Sequence, residues 1–186
     1  MDEVKHVNDF NNQTGRSTGL TYGYEFERFY TEDDFTDVKK GILKDDVPKP
    51  SFGTPFPGDC KYVDKDGNGV IDTDDRTYLG YSTQRPEYVF GLNGGIDWKG
   101  WSFSMQWTGA THVSRNLATE YRIPFSPNGA RALFKYHADE RWTPETAKTA
   151  TMPRFSDSSK ALNYDQNSSL WVKDASYIRL KNVQLG

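Results

Sequence analysis

The clearest pattern along the chain is a run of alternating apolar and polar or small residues that begins at Tyr88. Tyr88, Phe90, Leu92, Gly94, Ile96 and Trp98 alternate with Val89, Gly91, Asn93, Gly95 and Asp97, a period of two that predicts a strand with one apolar face. Lys99 and Gly100 supply a two-residue turn, after which Trp101, Phe103, Met105 and Trp107 alternate with Ser102, Ser104, Gln106 and Thr108. Such a turn fixes the register: Trp98 lies opposite Trp101, Ile96 opposite Phe103, Gly94 opposite Met105 and Leu92 opposite Trp107, all on one face. Eleven residues at about 3.3 Å each span about 36 Å, and a tilt near 45° reduces that to about 25 Å, the height of the apolar band of an outer-membrane barrel. A soluble antiparallel sheet with one buried face fits the same alternation. The two tryptophans at the turn and the Gly, Ser, Asn, Gln and Thr of the other face weigh toward a barrel, with an interfacial girdle and a wet lumen.

Around this hairpin the chain is punctuated rather than periodic. Residues 1–19 are polar, and Leu20 to Tyr30 are aromatic-rich and extended. A short helix is expected near residues 32–40: Thr31 can cap it, Glu32, Asp33 and Asp34 suit its positive end, Lys39 and Lys40 its negative end, and Gly41 stops it. Pro48, Pro50, Pro55, Pro57, Gly53 and Gly58 make residues 44–58 a surface loop. The stretch 112–169 reads as a loop far longer than compact soluble domains carry, and 170–186 as a closing strand. The expected architecture is all-β: part of an antiparallel transmembrane β-barrel with long extracellular loops and one short helix. Residues 1–87 form an extracellular loop region, residues 88–186 hold barrel strands (hairpin 88–111, long loop 112–169, strand 170–186), and both are pieces of one larger barrel domain. On that reading the Lys99-Gly100 turn faces the periplasm.

One local motif carries chemistry. Residues 64–75, DKDGNGVIDTDD, fit a calcium-loop pattern: Asp64, Asp66 and Asn68 take the first three ligand positions, and Gly69 sits where the sharp turn needs glycine. Val70 would ligate through its carbonyl, Asp72 through water, and Asp75 would close the loop. Five carboxylates offset by a single lysine should repel one another, a strain that a hard cation such as Ca²⁺ relieves. Position twelve is Asp rather than Glu, and Pro55, Pro57 and Gly58 deny the entering helix of an EF-hand. The expectation is therefore an ion that pins a loop rather than a sensor that moves helices.

Composition narrows the classes further. The 186 residues carry a net charge of only −3, with Lys and Arg scattered among acids, so nucleic acid is not an expected partner. A mean hydropathy of −0.82 and the lack of any long apolar run exclude membrane helices but not barrel strands. Eleven Tyr, eleven Phe and five Trp suit either bilayer girdles or carbohydrate-binding surfaces. The start, MDEVKHVNDF, shows no secretory signal. Lone Cys60 excludes an internal disulfide and reads as a free thiol. His6, His112 and His137 lie far apart with no motif around them and are expected at the surface or in loops; no catalytic residue is assigned and an enzyme is not expected.

Several spaced markers together resemble the SusC/RagA family of TonB-dependent outer-membrane transporters of Bacteroidota. They are Tyr22-Gly23-Tyr24; Gly58-Asp59 with Lys61-Tyr62; Ile71-Asp72 and Asp75-Arg76; Gly80; Pro86 with Phe90-Gly91-Leu92; and the aromatic-Lys-Gly-aromatic turn Trp98-Lys99-Gly100-Trp101. Arg141-Trp142-Thr143-Pro144, Pro153-Arg154 and the closing SYIRLKNVQLG from Ser176 to Gly186 complete the set, so the likeness covers residues 20–186. The resemblance implies the wall and outer loops of a barrel in the outer membrane, in contact with its lipid. It also implies import of oligosaccharides or peptides, energised by TonB through an N-terminal region not present here and assisted by a SusD-like surface lipoprotein. The signal peptide, plug and most barrel strands of that family are missing, so a fragment of this size is not expected to transport alone, and no substrate-binding residue is assigned. The alternative is a soluble, calcium-stabilised carbohydrate-binding β module, with Trp142, Trp171 or Tyr121 as stacking platforms. Trp142 and Trp171 are otherwise expected to pack loops together.

Overall fold

The computed structural model describes residues 8–117, 119–125, 133–156 and 161–186. Strands carry most of its regular structure, as expected for an all-β chain. The helices are short: α1 (Thr119–Arg122), α2 (Lys135–Asp139), a few 3₁₀ turns and one π turn at Ala161–Asp165. The described strands form separate sheets of two or three, and no closed barrel is seen. The chain divides into two compact units.

The first unit is built from Tyr22–Leu79 and Leu117–Trp171, with residues 8–15. Its strands are very short. β1 (Thr21–Gly23) pairs with β8 (Thr77–Leu79), β2 (Phe26–Phe29) with β6 (Cys60–Tyr62), β3 (Phe35–Asp37) with β4 (Ile42–Leu43), and β5 (Lys49–Pro50) runs parallel to β7 (Val70–Ile71). Ladders this small hold only when side chains bury around them. Tyr24, Phe29, Tyr62, Ile71, Trp142, Tyr164 and Trp171 form that core, with a second cluster of Tyr30, Phe35, Leu43 and Val47. Segments distant in sequence are joined by a buried polar clasp. Asp59 is wholly buried and accepts from Arg154 Nε (2.5 Å) and Nη2 (3.1 Å), from Asn163 Nδ2 (2.7 Å) and from the Phe56 N–H (2.9 Å). Beside it Gly58 has φ +86°, and a Cβ there would lie 2.5 Å from the Trp142 ring, so only glycine fits.

Three expectations fail in this unit. The helix near 32–40 is a single 3₁₀ turn, Glu32–Asp34, closed by a capping box in which Asp34 accepts the Thr31 N–H at 2.8 Å. Burying Phe35 draws the chain straight into β3, and Asp37 then accepts the Lys39 and Lys40 N–H groups to make a turn instead of a helix end. The proline-rich loop 44–58 contributes β5: the N–H groups of Lys49 and Ser51 bond to β7 and its neighbour, while Pro50, which has no N–H, falls between them. The long loop 112–169 is not loop throughout. Its part in this unit holds α1, α2 and much of the core, because Ile123, Trp142, Met152 and Tyr164 are buried, and its first residues, which belong to the second unit, form β11 (Ser114–Asn116).

The second unit comprises Arg16–Thr21, Gly80–Asn116 and Val172–Gly186. β9 (Tyr88–Trp98) and β10 (Trp101–Thr111) form the expected hairpin in the expected register, with Trp98 opposite Trp101 and Leu92 opposite Trp107. Its turn has φ +47° at Lys99 and +85° at Gly100, the left-handed pair that a two-residue hairpin turn with two positive φ values requires. The closing strand is really two: β12 (Val172–Asp174) pairs with β11, and β13 (Tyr177–Leu185) adds to β10, giving the antiparallel order β13-β10-β9. Within β13 the register slips. Asn182 faces Gln106 and Leu180 faces Trp107, leaving Lys181 as an extra residue in a β-bulge. The slip matters because Ile178 and Leu180 would otherwise be out of phase with Val183 and Leu185; the bulge returns all four to the face of Phe103, Met105 and Trp107.

Candidate ion-binding loop and exposed sheet face

The acidic loop follows β6 and ends in the 3₁₀ turn Thr73–Asp75, and it brings three of its carboxylates together. One oxygen from each of Asp64, Asp66 and Asp75 lies within 4.8 Å of the others. Left-handed Gly67 and Gly69, with φ +73° and +83°, turn their N–H groups onto Asp64, each at 2.8 Å. Asp66 accepts the Asn68 N–H at 3.0 Å. Asp75 is fully buried and accepts N–H groups from Lys65 (2.7 Å), Asp66 (3.4 Å) and Asp72 (2.8 Å). Burial pushes its carboxyl above the ordinary range; those backbone bonds pull the other way and the nearby Asp66 charge adds to the rise. The loop's own cation, Lys65, is drawn away to Glu25 at 2.8 Å.

The remaining expected ligands lie outside this carboxylate trio, though two are bonded to it: Asn68 Nδ2 donates to Asp66 at 2.9 Å and the Asp72 N–H donates to Asp75 at 2.8 Å. Asn68 Oδ1 accepts the Val70 N–H at 2.7 Å, Val70 belongs to β7, and Asp72 caps the 3₁₀ turn by accepting the Asp74 N–H at 2.8 Å. An expected charge strain is thus met in part by backbone donors aimed at the carboxylates. The chemistry that remains is a cluster of hard oxygen donors, the kind that suits Ca²⁺ or Mg²⁺ better than softer metals.

The second unit presents the other unusual surface. The face shared by Leu92, Ile96, Trp98, Trp101, Phe103, Ile178, Leu180, Val183 and Leu185 is open, with Leu92 61%, Ile96 64%, Trp98 64% and Leu185 71% exposed. Soluble proteins rarely leave so large a contiguous apolar surface uncovered. The opposite face is polar and largely uncharged. Asn93, Gln106 and Asn182 lie side by side across the three strands, and Ser104 bonds to Gln184 at 3.4 Å.

Other singled-out residues have structural settings. Trp142 and Trp171 are buried in the core, so neither offers a sugar-stacking surface, whereas Tyr121 is 52% exposed. Cys60 is a buried free thiol. His112 is partly exposed, stacked on Tyr81 at 4.4 Å with Nδ1 3.0 Å from Glu87. The expectation of a surface or loop position fails for His137, which is buried in α2 with its ring bridging two backbone groups: Nδ1 faces the Phe134 N–H at 3.4 Å and Nε2 the Tyr121 carbonyl at 2.9 Å. His6 lies outside the described residues. Among the described residues Asp64, Asp66 and Asp75 form the one carboxylate cluster close enough to share an ion, and no histidine joins it.

Comparison with known proteins decides what kind of chain this is. It is 34% identical over 128 residues, 69% of its length, to TonB-dependent receptor P26 of Formosa agariphila, and 28% identical over 174 residues, 92% of its length, to TonB-dependent receptor P3 of the same organism. The chain is a relative of TonB-dependent receptors. No protein-family model matches it. It spans 12% and 15% of the lengths of these two receptors, so what it shares with them is one limited stretch.

Proposed function

We propose that this chain is part of the barrel wall and outer loops of a SusC/RagA-type TonB-dependent transporter in the outer membrane, with the apolar face of β9, β10 and β13 turned to lipid. One observation carries the reading. Strands long enough to cross a bilayer at a tilt expose a continuous apolar face on one side and Asn, Gln, Ser and Thr on the other. The kinship with TonB-dependent receptors supports it. On this reading Trp98 and Trp101 sit at the membrane interface by the periplasmic turn. The parent protein imports oligosaccharides or peptides, is driven by TonB, works with a SusD-like surface lipoprotein and catalyses no reaction.

Within the same reading the acidic loop binds Ca²⁺ through Asp64, Asp66 and Asp75, with Asn68, the Val70 carbonyl and Asp72 completing the shell directly or through water. The ion holds the ends of the loop together. It takes no part in moving substrate.

The test is made on the whole parent protein in its native cell. Membrane fractionation should recover it in the outer membrane, a tag on it should co-purify a surface lipoprotein, and its deletion should abolish growth on a particular oligosaccharide or peptide source. Recovery in the soluble fraction would end the transporter reading.

A further inference from the structure

Two arginines of the first unit carry charge that no described carboxylate pairs. Arg76, just before β8, and Arg122, at the end of α1, have no described acid within ion-pair distance. Their side-chain hydrogen bonds are long: Arg76 Nη2 to Gln166 Oε1 at 3.4 Å and Arg122 Nη1 to Asn167 Oδ1 at 3.3 Å. A guanidinium offers five N–H donors, and the Nε of both is buried with no partner among the described residues. Buried donors are costly to leave unmatched, so two such groups in one place call for an acceptor.

Beside them lies a polar cavity of about 120 Å³, lined by Arg76, Tyr22, Gln166 and Asn167. Its walls are fixed. The Asn167 carbonyl accepts the Tyr24 N–H at 2.9 Å, and a Cβ on Gly23 would collide with that carbonyl, so Asn167 is held against β1. The Arg76 guanidinium lies over the Tyr24 ring, 5.0 Å from its centroid. Asp165 also lines the cavity and Asp74 acts on Tyr22, but both are exposed, where water and salt screen their charge. Asp75, next to Arg76 in sequence, is taken up by backbone N–H groups. We propose that this cavity is a site for a small oxyanion, a carboxylate or phosphate group, held by Arg76, with Arg122 adding positive charge next to Asn167.

Shape and size set the class. The planar fork of a guanidinium matches two oxygens of a carboxylate or a phosphate, a geometry that a halide cannot return. At about 30 Å³ per water the cavity has room for about four waters, enough for one acid group and too little for a sugar ring or a nucleotide. The site depends neither on the importer reading nor on the acidic loop.

Calorimetric titration of the parent protein in non-ionic detergent, in calcium-free buffer, with inorganic phosphate and with acetate tests the assignment, chloride serving to hold ionic strength constant. One of the two anions should saturate a single site, and the tighter of them identifies the group. Arg76→Gln should weaken binding about tenfold or more, the scale of a charged hydrogen bond, whereas Asp165→Asn should strengthen it on the order of threefold by removing the charge at the rim. The Asp165 side chain makes no hydrogen bond among the described residues, so that gain cannot come from altered packing. Saturation by neither anion, or affinities unchanged in both Arg76→Gln and Asp165→Asn, would overturn the site and leave the cavity to water. Neither result touches the importer reading, because β9, β10 and β13 contribute no residue to the cavity.

Discussion

Addition of Ca²⁺ to the purified protein is expected to raise its melting temperature by about 5–10 °C, and the reason lies in three carboxylates. Oxygens of Asp64, Asp66 and Asp75 lie within 4.8 Å of one another, and at an effective dielectric of about 20 a pair of unit charges at that distance repels by about 3.5 kcal/mol. Backbone N–H groups offset part of this, yet Asp75 is buried and its carboxyl remains raised, so the loop without an ion still carries a cost. An ion present at about a hundred times its dissociation constant stabilises by about 2.7 kcal/mol, which for a domain of this size corresponds to that shift in melting temperature. The pH dependence has a definite sign. A raised carboxyl binds its proton more tightly in the fold than in the unfolded chain, so without Ca²⁺ stability improves as pH falls through the raised value, while Ca²⁺ affinity falls over the same range. Differential scanning calorimetry in Ca²⁺ and in chelator, on the original protein and on Asp66→Asn, measures both effects. Asp66→Asn keeps an acceptor for the Asn68 N–H but removes one charge, so it should lose about tenfold or more in affinity without losing stability in chelator. Identical melting curves in Ca²⁺ and chelator would show that the loop is a hydrogen-bonded turn and nothing more.

Three further outcomes follow from the packing. Burial alone would raise the Asp34 carboxyl, but bonds from Arg28 (2.6 and 2.7 Å) and Thr31 hold it down at about 2. A depressed carboxyl contributes stability above its unfolded value and loses it as pH falls from about 4 through about 2; with half-exposed Arg28 screened by water, this amounts to roughly 1–2 kcal/mol, absent in Asp34→Asn, as urea melts across that range would show. Asp59→Ala leaves Arg154 and Asn163 without their shared acceptor and should cost about 3–5 kcal/mol in the same assay, whereas an exposed control such as Asp45→Ala should cost almost nothing. Deleting bulged Lys181 should preserve folding, because Leu180 and Val183 then alternate regularly, while deleting Leu180 turns Lys181 onto the apolar face and should abolish it; protease resistance in detergent separates the two.

The hairpin was legible because period-two alternation and a two-residue turn are local, and both fix register without reference to anything distant. Residues 64–75 were legible for the same reason: their spacing is internal, and the trio of Asp64, Asp66 and Asp75 does come together. What the sequence hid is non-local. Asp34 and Lys39 read as helix signals, but burial of Phe35 outweighs the weak preference of a nine-residue segment for helix. The three-residue step from Leu180 to Val183 breaks strand periodicity unless a bulge is known in advance. Burial of His137 depends on two backbone groups far from any motif, and the parallel rings of Tyr121 and Phe134 are thirteen positions apart with nothing in the intervening sequence to link them.

The central claim is that β9, β10 and β13 stand in the membrane with one face to lipid. It is tested most directly by spin labels on single cysteines in a Cys60→Ser background, placed at Leu92, Ile96, Phe103 and Val183 and at Asn93, Ser104, Gln106 and Asn182, in the parent protein reconstituted in lipid. The account predicts a strict alternation: labels on the first set are reached by oxygen dissolved in the bilayer, and labels on the second by a water-soluble paramagnetic reagent. Equal access of the aqueous reagent to both sets would contradict it.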